Sequence, residues 1–305
     1  SNLTKDDLSF IKDKLRGIID KVSLEKKIDL PPTAKDVIIN EIIKTSIYEE
    51  IPISQLIISD ERPSQLLDLI ASELNSNNKI TPQFVESVIT NNKINEIKNN
   101  LPLEISKFAE KSQIHLNSET SNLIQSDLFN ITIISAKSGL PLSAIKQRNE
   151  NYLKAISIGL QSIYSHNLNQ IEPIDKLAPK TIQPLKQEAI PVKQEAIPAF
   201  VKKPSANMSE LTLSIDLNNQ AYVNIKNNIL PEIFPSCLPK LTIITIPSGA
   251  SVEVRETSLG VTNIKDKPFD PGKYTFIFKL EGHNPIKREY VVVPYEPNQK
   301  LVEIF

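Results

Sequence analysis

The stretch whose reading decides the fold runs from Leu241 to Phe305, LTIITIPSGASVEVRETSLGVTNIKDKPFDPGKYTFIFKLEGHNPIKREYVVVPYEPNQKLVEIF. Apolar residues alternate along Tyr274, Phe276, Phe278 and Leu280, and again at Val252 and Val254, which is the period of a strand with one buried face. Pro247-Ser248-Gly249-Ala250, Gly260, Asp270-Pro271-Gly272 and Gly282-His283-Asn284-Pro285 break those runs where turns are needed. The pattern predicts a small all-β domain. At Asp270-Pro271-Gly272 it predicts a type II turn, with Gly272 taking the positive φ of its third position.

These residues carry a resemblance to the PEGA domain, a β-sandwich module of bacterial and archaeal surface and envelope proteins. That family opens on an apolar strand and a Pro-x-Gly-Ala turn, matched by Pro247, Gly249 and Ala250. A Gly-x-Thr-Pro element follows, matched by Gly260, Val261 and Thr262, with Asn263 in the place of the proline. Pro271, Gly272 and Tyr274 match the Pro-Gly-x-Tyr turn. Gly282 and Pro285 match the last turn, where His283 replaces the family's aromatic. The resemblance implies a sandwich with an adhesive or scaffolding role, and it carries no catalytic residues.

Working outward, 305 residues allow two domains at about 100 to 200 residues each. From Thr4 to about Asn169 the apolar spacing is helical. Phe10, Ile11, Leu15, Ile18 and Val22 mark a first helix, and Pro32 opens a second carrying Ile38 and Ile42. A third begins at Asp60-Glu61-Arg62-Pro63, and Thr81-Pro82 caps a short fourth. A fifth spans about 92–111, where Pro102 is expected to kink or split it. Ser118 to Lys137 form a sixth ending at Gly139, although Ile131 to Ile134 are β-branched. The last helix carries a seam of Leu142, Ile145, Tyr152, Ile156 and Ile163. Asn149 falls in that seam, either as a polar residue at the edge of a bundle core or as one that fixes register with a partner helix.

Residues 171–208 change to proline, lysine, glutamine and glutamate, and Lys186–Pro191 recurs as Lys193–Pro198. This composition predicts an extended spacer, with one short apolar stretch able to add to a sheet edge or lie across the helical domain. Leu211, Leu213, Ile215 and Leu217 then alternate and Tyr222 to Ile225 return, which reads as a hairpin. The predicted organisation is therefore α + β: a helical bundle over 1–170, a linker over 171–208 and a β-sandwich over 209–305, two bodies held apart by the spacer.

The chemistry expected of this chain is binding. Lys plus Arg number 35 against 36 Asp plus Glu, so no field gathers nucleic acid or an anionic bilayer. Cys237 is the single cysteine and reads as an inert thiol, leaving no intrachain disulfide. His115, His166 and His283 lack ligand partners at helical spacing, so neither metal nor cofactor is expected. No run of about 18 apolar residues offers a membrane span. The chain opens Ser1-Asn2-Leu3, which is silent on export. The leading expectation is a non-enzymatic protein interaction or scaffolding protein of an envelope, surface or secretion assembly, with an envelope or secreted setting favoured over the cytoplasm. The alternative is a carbohydrate- or cell-wall-binding module, although the chain has no tryptophan for a sugar platform. A third reading is an enzyme with its site in the helical region.

Overall fold

The computed structural model describes residues 5–74, 79–169, 215–233 and 238–305. The expected spacer, Leu211, Leu213 and Cys237 lie outside them.

Helix α1 (Lys5–Lys26) buries Leu8, Ile11, Leu15, Ile19 and Val22, the one stripe its spacing allows. Helix α2 (Pro32–Glu49) starts on a proline, whose missing N–H costs nothing in the first turn, and ends at Glu50 in the left-handed conformation. A single turn, α3 (Ile53–Leu56), leads to α4 (Glu61–Glu73). Next comes α5 (Pro82–Lys111), capped by the Thr81 side chain, which accepts from the Phe84 N–H at 3.1 Å. The expected fourth and fifth helices are thus one, running unbroken through Pro102. Pro102 is exposed while Leu101 and Ile105 beside it are buried. Lys98, whose carbonyl the proline leaves without a donor, is also exposed, and the buried stripe from Val85 to Ile105 outweighs one lost backbone bond.

Strand β1 (Ile114–Leu116) precedes α6 (Ser118–Lys137), whose cap Asn117 accepts from the Thr120 N–H at 2.7 Å. The β-branched run stays helical, and Gly139 follows at φ +78°. Helix α7 is Leu142–Asn169. Asn149 is buried and donates to Thr132 Oγ1 at 3.1 Å, so it serves the α6–α7 seam inside this chain rather than a partner helix.

The expected return strand of the hairpin, Tyr222 to Ile225, is not formed. Strand β2 (Ile215–Leu217) pairs in parallel with β1, and Asn218 caps helix α8 (Asn219–Asn224) by accepting from the Ala221 N–H at 2.9 Å. A π-turn (Ile225–Ile229) and α9 (Leu230–Ile233) continue it. Tyr222, Ile225 and Leu230 are buried against the helices, a 3-then-5 spacing that fits a helix with a π-bulge and not a strand. Two tyrosines and an acid fasten it. Asp127 accepts from the Tyr222 hydroxyl at 2.6 Å, from Tyr152 at 3.3 Å and from Lys226 Nζ at 2.7 Å. Gly159 of α7 lets it approach closely, since a Cβ there would stand 2.6 Å from Ile225 Cγ2.

The remaining strands are β3 (Lys240–Ile246), β4 (Ser251–Val254), β5 (Thr257–Val261), β6 (Ile264–Pro268), β7 (Gly272–Lys279), β8 (Ile286–Val292) and β9 (Asn298–Ile304). They form a three-stranded sheet in the order β6-β3-β9 and a four-stranded sheet in the order β5-β4-β7-β8. Strands β3 and β9 are parallel over seven residues, from Lys240↔Asn298 to Ile246↔Ile304. Leu241, Ile243 and Leu301 from one sheet and Val252, Phe276, Phe278 and Tyr290 from the other share one buried cluster, so the expected sandwich is present. Phe269 packs edge-on against Tyr274 and Phe276 at 5.2 and 5.7 Å, as aromatic quadrupoles favour.

The helices do not stand apart from this sandwich. The same cluster takes in Ile97, Leu101, Tyr152 and Ile156 from α5 and α7, and Tyr152 meets Tyr295 edge-to-face at 5.3 Å. A second cluster joins α1, α2, α4 and α5 to Ile246 and Ile304 on the opposite face of the three-stranded sheet. The picture of two bodies held apart gives way to one with shared cores. Each aliphatic side chain buried there contributes about 1.5 to 3 kcal/mol, which a separated arrangement would forgo.

Candidate functional site

The junction of helices and sandwich concentrates the buried charge of the protein. Arg148 on α7 is 1% exposed and spends its donors on five acceptors. Its Nε donates to Glu296 at 3.0 Å, and its Nη2 to the Tyr290 hydroxyl at 2.8 Å and to Gln299 Oε1 at 3.3 Å. Its Nη1 donates to Ser135 Oγ and to the Val291 carbonyl, both at 3.3 Å. Gln299 donates in turn to the carbonyls of Val293 and Glu296, at 2.7 and 2.9 Å. A planar guanidinium suits this role because its fork satisfies several fixed acceptors at once.

A second network centres on Glu303 of β9, which is 2% exposed. Arg288 of β8 donates to it from Nε at 2.6 Å and from Nη2 at 3.2 Å, and Lys44 of α2 donates at 3.1 Å. Burial alone would push the Glu303 carboxyl up, but Lys44 and Arg288 together hold it below the ordinary carboxylate value. Burial lowers the Lys44 ammonium, with Glu303 opposing. Lys93 completes the group, pairing with Glu41 at 2.6 Å and donating to the Leu140 carbonyl at 3.1 Å. Lys44 and Arg288 come within 3.7 Å of where a Gly139 side chain would begin, so three cations gather just past the C-terminus of α6, the negative end of its dipole. A polar cavity of about 270 Å³ lies among them. Its charges are matched in pairs, and it reads as part of the joint.

The larger opening lies on the outer face of the three-stranded sheet, a groove of about 740 Å³ between the end of α2 and strands β3, β6 and β9. Ile47, Ile51 and Ile244 make it apolar, Lys265 and Lys300 stand on the sandwich side, and Glu50 stands on the helix side. Tyr48 stiffens the helix side by donating to the Lys300 carbonyl at 2.5 Å, and the Lys300 ammonium lies 5.8 Å over the Tyr48 ring. Beyond the groove, Lys12 of α1 donates to the Phe305 carbonyl at 2.5 Å.

The turn residues singled out in the sequence lie at the strand ends of the sandwich, except Gly260 and Gly272, which fall within strands. Pro247, Gly249 and Ala250 follow β3, and the Thr262 hydroxyl accepts from the N–H groups of Gly249 and Ala250 at 3.2 and 3.1 Å. Thr262 thereby fixes the β3–β4 turn to the β5–β6 turn. Gly260 lies in β5, Pro271 and Gly272 lead into β7, and Gly282 and Pro285 lie between β7 and β8. Gly272 has φ +155°, a glycine region, but well beyond the value a type II turn requires. The observed device there is a different one: the Tyr274 hydroxyl donates to the Asp270 carbonyl at 2.9 Å.

Residues 238–301 match the PEGA domain. No curated protein and no solved structure matches the chain. The PEGA domain contributes Glu296, Gln299 and Lys300 to the junction, Glu303 follows two residues past the match on the same strand, and Asn263 from the domain's proline position lines the groove. His283, from its aromatic position, meets Phe305 edge-to-face at 5.4 Å.

Sequence reading placed Tyr152 and Ile156 in the α7 seam, but it singled out none of the charged residues that weld the PEGA domain to the helices. A signal existed in β9, where Gln299, Leu301 and Glu303 share one face and two of the three are polar on a face that strand period makes internal. Arg148 sits beside the Asn149 of the α7 seam, and Lys44 follows Ile42 and Ile43 in α2, yet neither partner lies nearby in the chain. Among the described residues no three His, Cys, Asp or Glu side chains gather to hold a metal, and no helix is long and apolar enough to cross a membrane.

Proposed function

We propose that this chain is a non-enzymatic interaction protein, a scaffold in which a PEGA domain and a helical body present one rigid composite surface to a protein partner within a surface, envelope or secretion assembly. The observation that carries the reading is the groove walled by α2 on one side and by the PEGA sheet on the other, on a joint whose buried ion pairs and shared cores hold both walls in register. A scaffold needs its surfaces pre-organised, because each degree of freedom frozen on binding subtracts from affinity. The PEGA match supports the setting, since similar domains sit on surface proteins. The ionisable groups of the junction are engaged with one another, which suits a structural role. Affinity capture with the full chain from its native cells, against an unrelated β-sandwich as control, tests the reading. One or more proteins retained in near-stoichiometric amount are expected, and retention of none counts against it.

A further inference from the structure

We infer that the groove between α2 and the three-stranded PEGA sheet takes an extended, acidic segment of the partner protein, its aliphatic side chains on the floor and its carboxylates against the lysines. The inference rests on the interaction reading above and names the chemistry of what binds.

Three observations converge. The floor is apolar, with half-buried Ile47 and Ile51 from the helix end and Ile244 from β3. Thr242 and Ile244 are successive residues on one face of β3, about 7 Å apart, the repeat at which an extended peptide offers side chains to one surface. The rim is unevenly charged. Lys265 and Lys300 line the groove, and Lys240 lies on the same face of β3 as Thr242 and Ile244. Lys240 and Lys265 are exposed with no ion-pair partner among the described residues. Against these three cations stand Glu50, and Asp266 close to the Thr242 hydroxyl at 3.4 Å. In a chain whose overall charge is −1, this local excess is a feature of the face. An acidic segment complements it, and a recessed floor between two walls fits a chain better than the plane of a bilayer.

The test uses the full chain and two fluorescein-labelled octapeptides of alternating charged and aliphatic residues, one built on glutamate with isoleucine and the other on lysine with isoleucine, read by fluorescence anisotropy. The glutamate peptide is expected to bind at least about tenfold tighter than the lysine peptide and to weaken as salt rises, as charge-steered contacts do. Lys265→Glu with Lys300→Glu should cost about tenfold or more, and Lys265→Glu alone, at an exposed position, shows the same direction if the double variant folds poorly. Glu50→Asn should tighten binding about two- to fivefold, because it removes a carboxylate that lines the groove while asparagine accepts the left-handed backbone found there. Equal binding of both peptides, indifference to these substitutions, or a preference for phosphatidylserine vesicles over the glutamate peptide would overturn the inference. If native capture persists undiminished in the Lys265→Glu, Lys300→Glu chain, the acidic-segment inference falls and the interaction reading stands. If the glutamate peptide binds as described while nothing is captured from native cells, it is the interaction reading that loses its support.

Discussion

Replacing Glu303 by glutamine removes one negative charge from the joint and almost nothing else, because volume and an accepting oxygen are kept. What remains is a buried Lys44 ammonium, its side chain 10% exposed, and an Arg288 whose next carboxylate, Glu86, is 4.0 Å away and 64% exposed. Breaking a buried pair from one side costs about 3 to 5 kcal/mol, since the uncompensated charge cannot regain its hydration. Lys44→Met should cost far less, about 1 kcal/mol, because Arg288 still holds Glu303 through two hydrogen bonds. The double variant should therefore lose about 2 kcal/mol less than the sum of the singles. Thermal unfolding by far-ultraviolet circular dichroism reads this out. A loss of 3 to 5 kcal/mol lowers the melting temperature of a chain this size by roughly 10 °C. The three residues come from α2, β8 and β9, so helical and sheet signals should fall together in one transition. A cost below about 1 kcal/mol for Glu303→Gln, or a second transition that stays in place, would refute the view that this carboxylate holds the helices to the PEGA domain.

Acid provides an independent reading of the same group. Glu303 binds its proton less readily folded than unfolded, so the unfolded chain takes up more protons as pH falls. Its stabilisation is present above the ordinary value of 4.5 and is lost below it, and melting curves of the Glu303→Gln chain should lack that part of the acid limb. Gly159→Ala should destabilise by about 1 to 3 kcal/mol in denaturant titrations even though alanine favours helix, because its Cβ meets buried Ile225; a gain in stability would mean the π-turn does not pack on α7 as described. Gly272→Val should cost about 1 to 3 kcal/mol from backbone strain alone, since the nearest atom to the new Cβ is Tyr274 Cε2 at 3.9 Å; an unchanged melting temperature would show that β7 can enter with an ordinary φ. A protease site inserted between Lys176 and Lys203 and then cut should leave two fragments that co-elute on gel filtration, whereas separate elution would mean the shared cores are too weak to hold the bodies together.

Much of this architecture is written in local pattern. Tyr274, Phe276 and Phe278 alternate because a strand has period two, Leu8, Ile11, Leu15 and Ile19 recur because a helix has period 3.6, and Asn117, Asn218 and Thr81 sit where orphan N–H groups need acceptors. The breaks at Pro247 to Ala250 and at Gly282 to Pro285 were legible for the same reason, being constrained by their own few neighbours, whereas Gly260 lies inside β5 opposite a bulge in its pairing with β4 and Gly272 does not take the type II value. Pro102 and Tyr222 mark where local rules misled. A proline is tolerated on a solvent-facing helix side, and an apolar return after a turn can be helical when a helix surface such as that of α7 is there to receive it. The joint and its groove were beyond local reading altogether. Periodicity tells which face of an element is buried but not against what, and Arg148 and Glu296, 148 residues apart, or Lys44 and Glu303, 259 apart, become stable inside the protein only when the fold delivers each to the other. Composition and turns decided that a PEGA sandwich and a set of helices exist, while only the tertiary structure decided that they close on one another and leave an apolar cleft rimmed by lysines, because burial of charge is a property of pairs and the pairing is made in space.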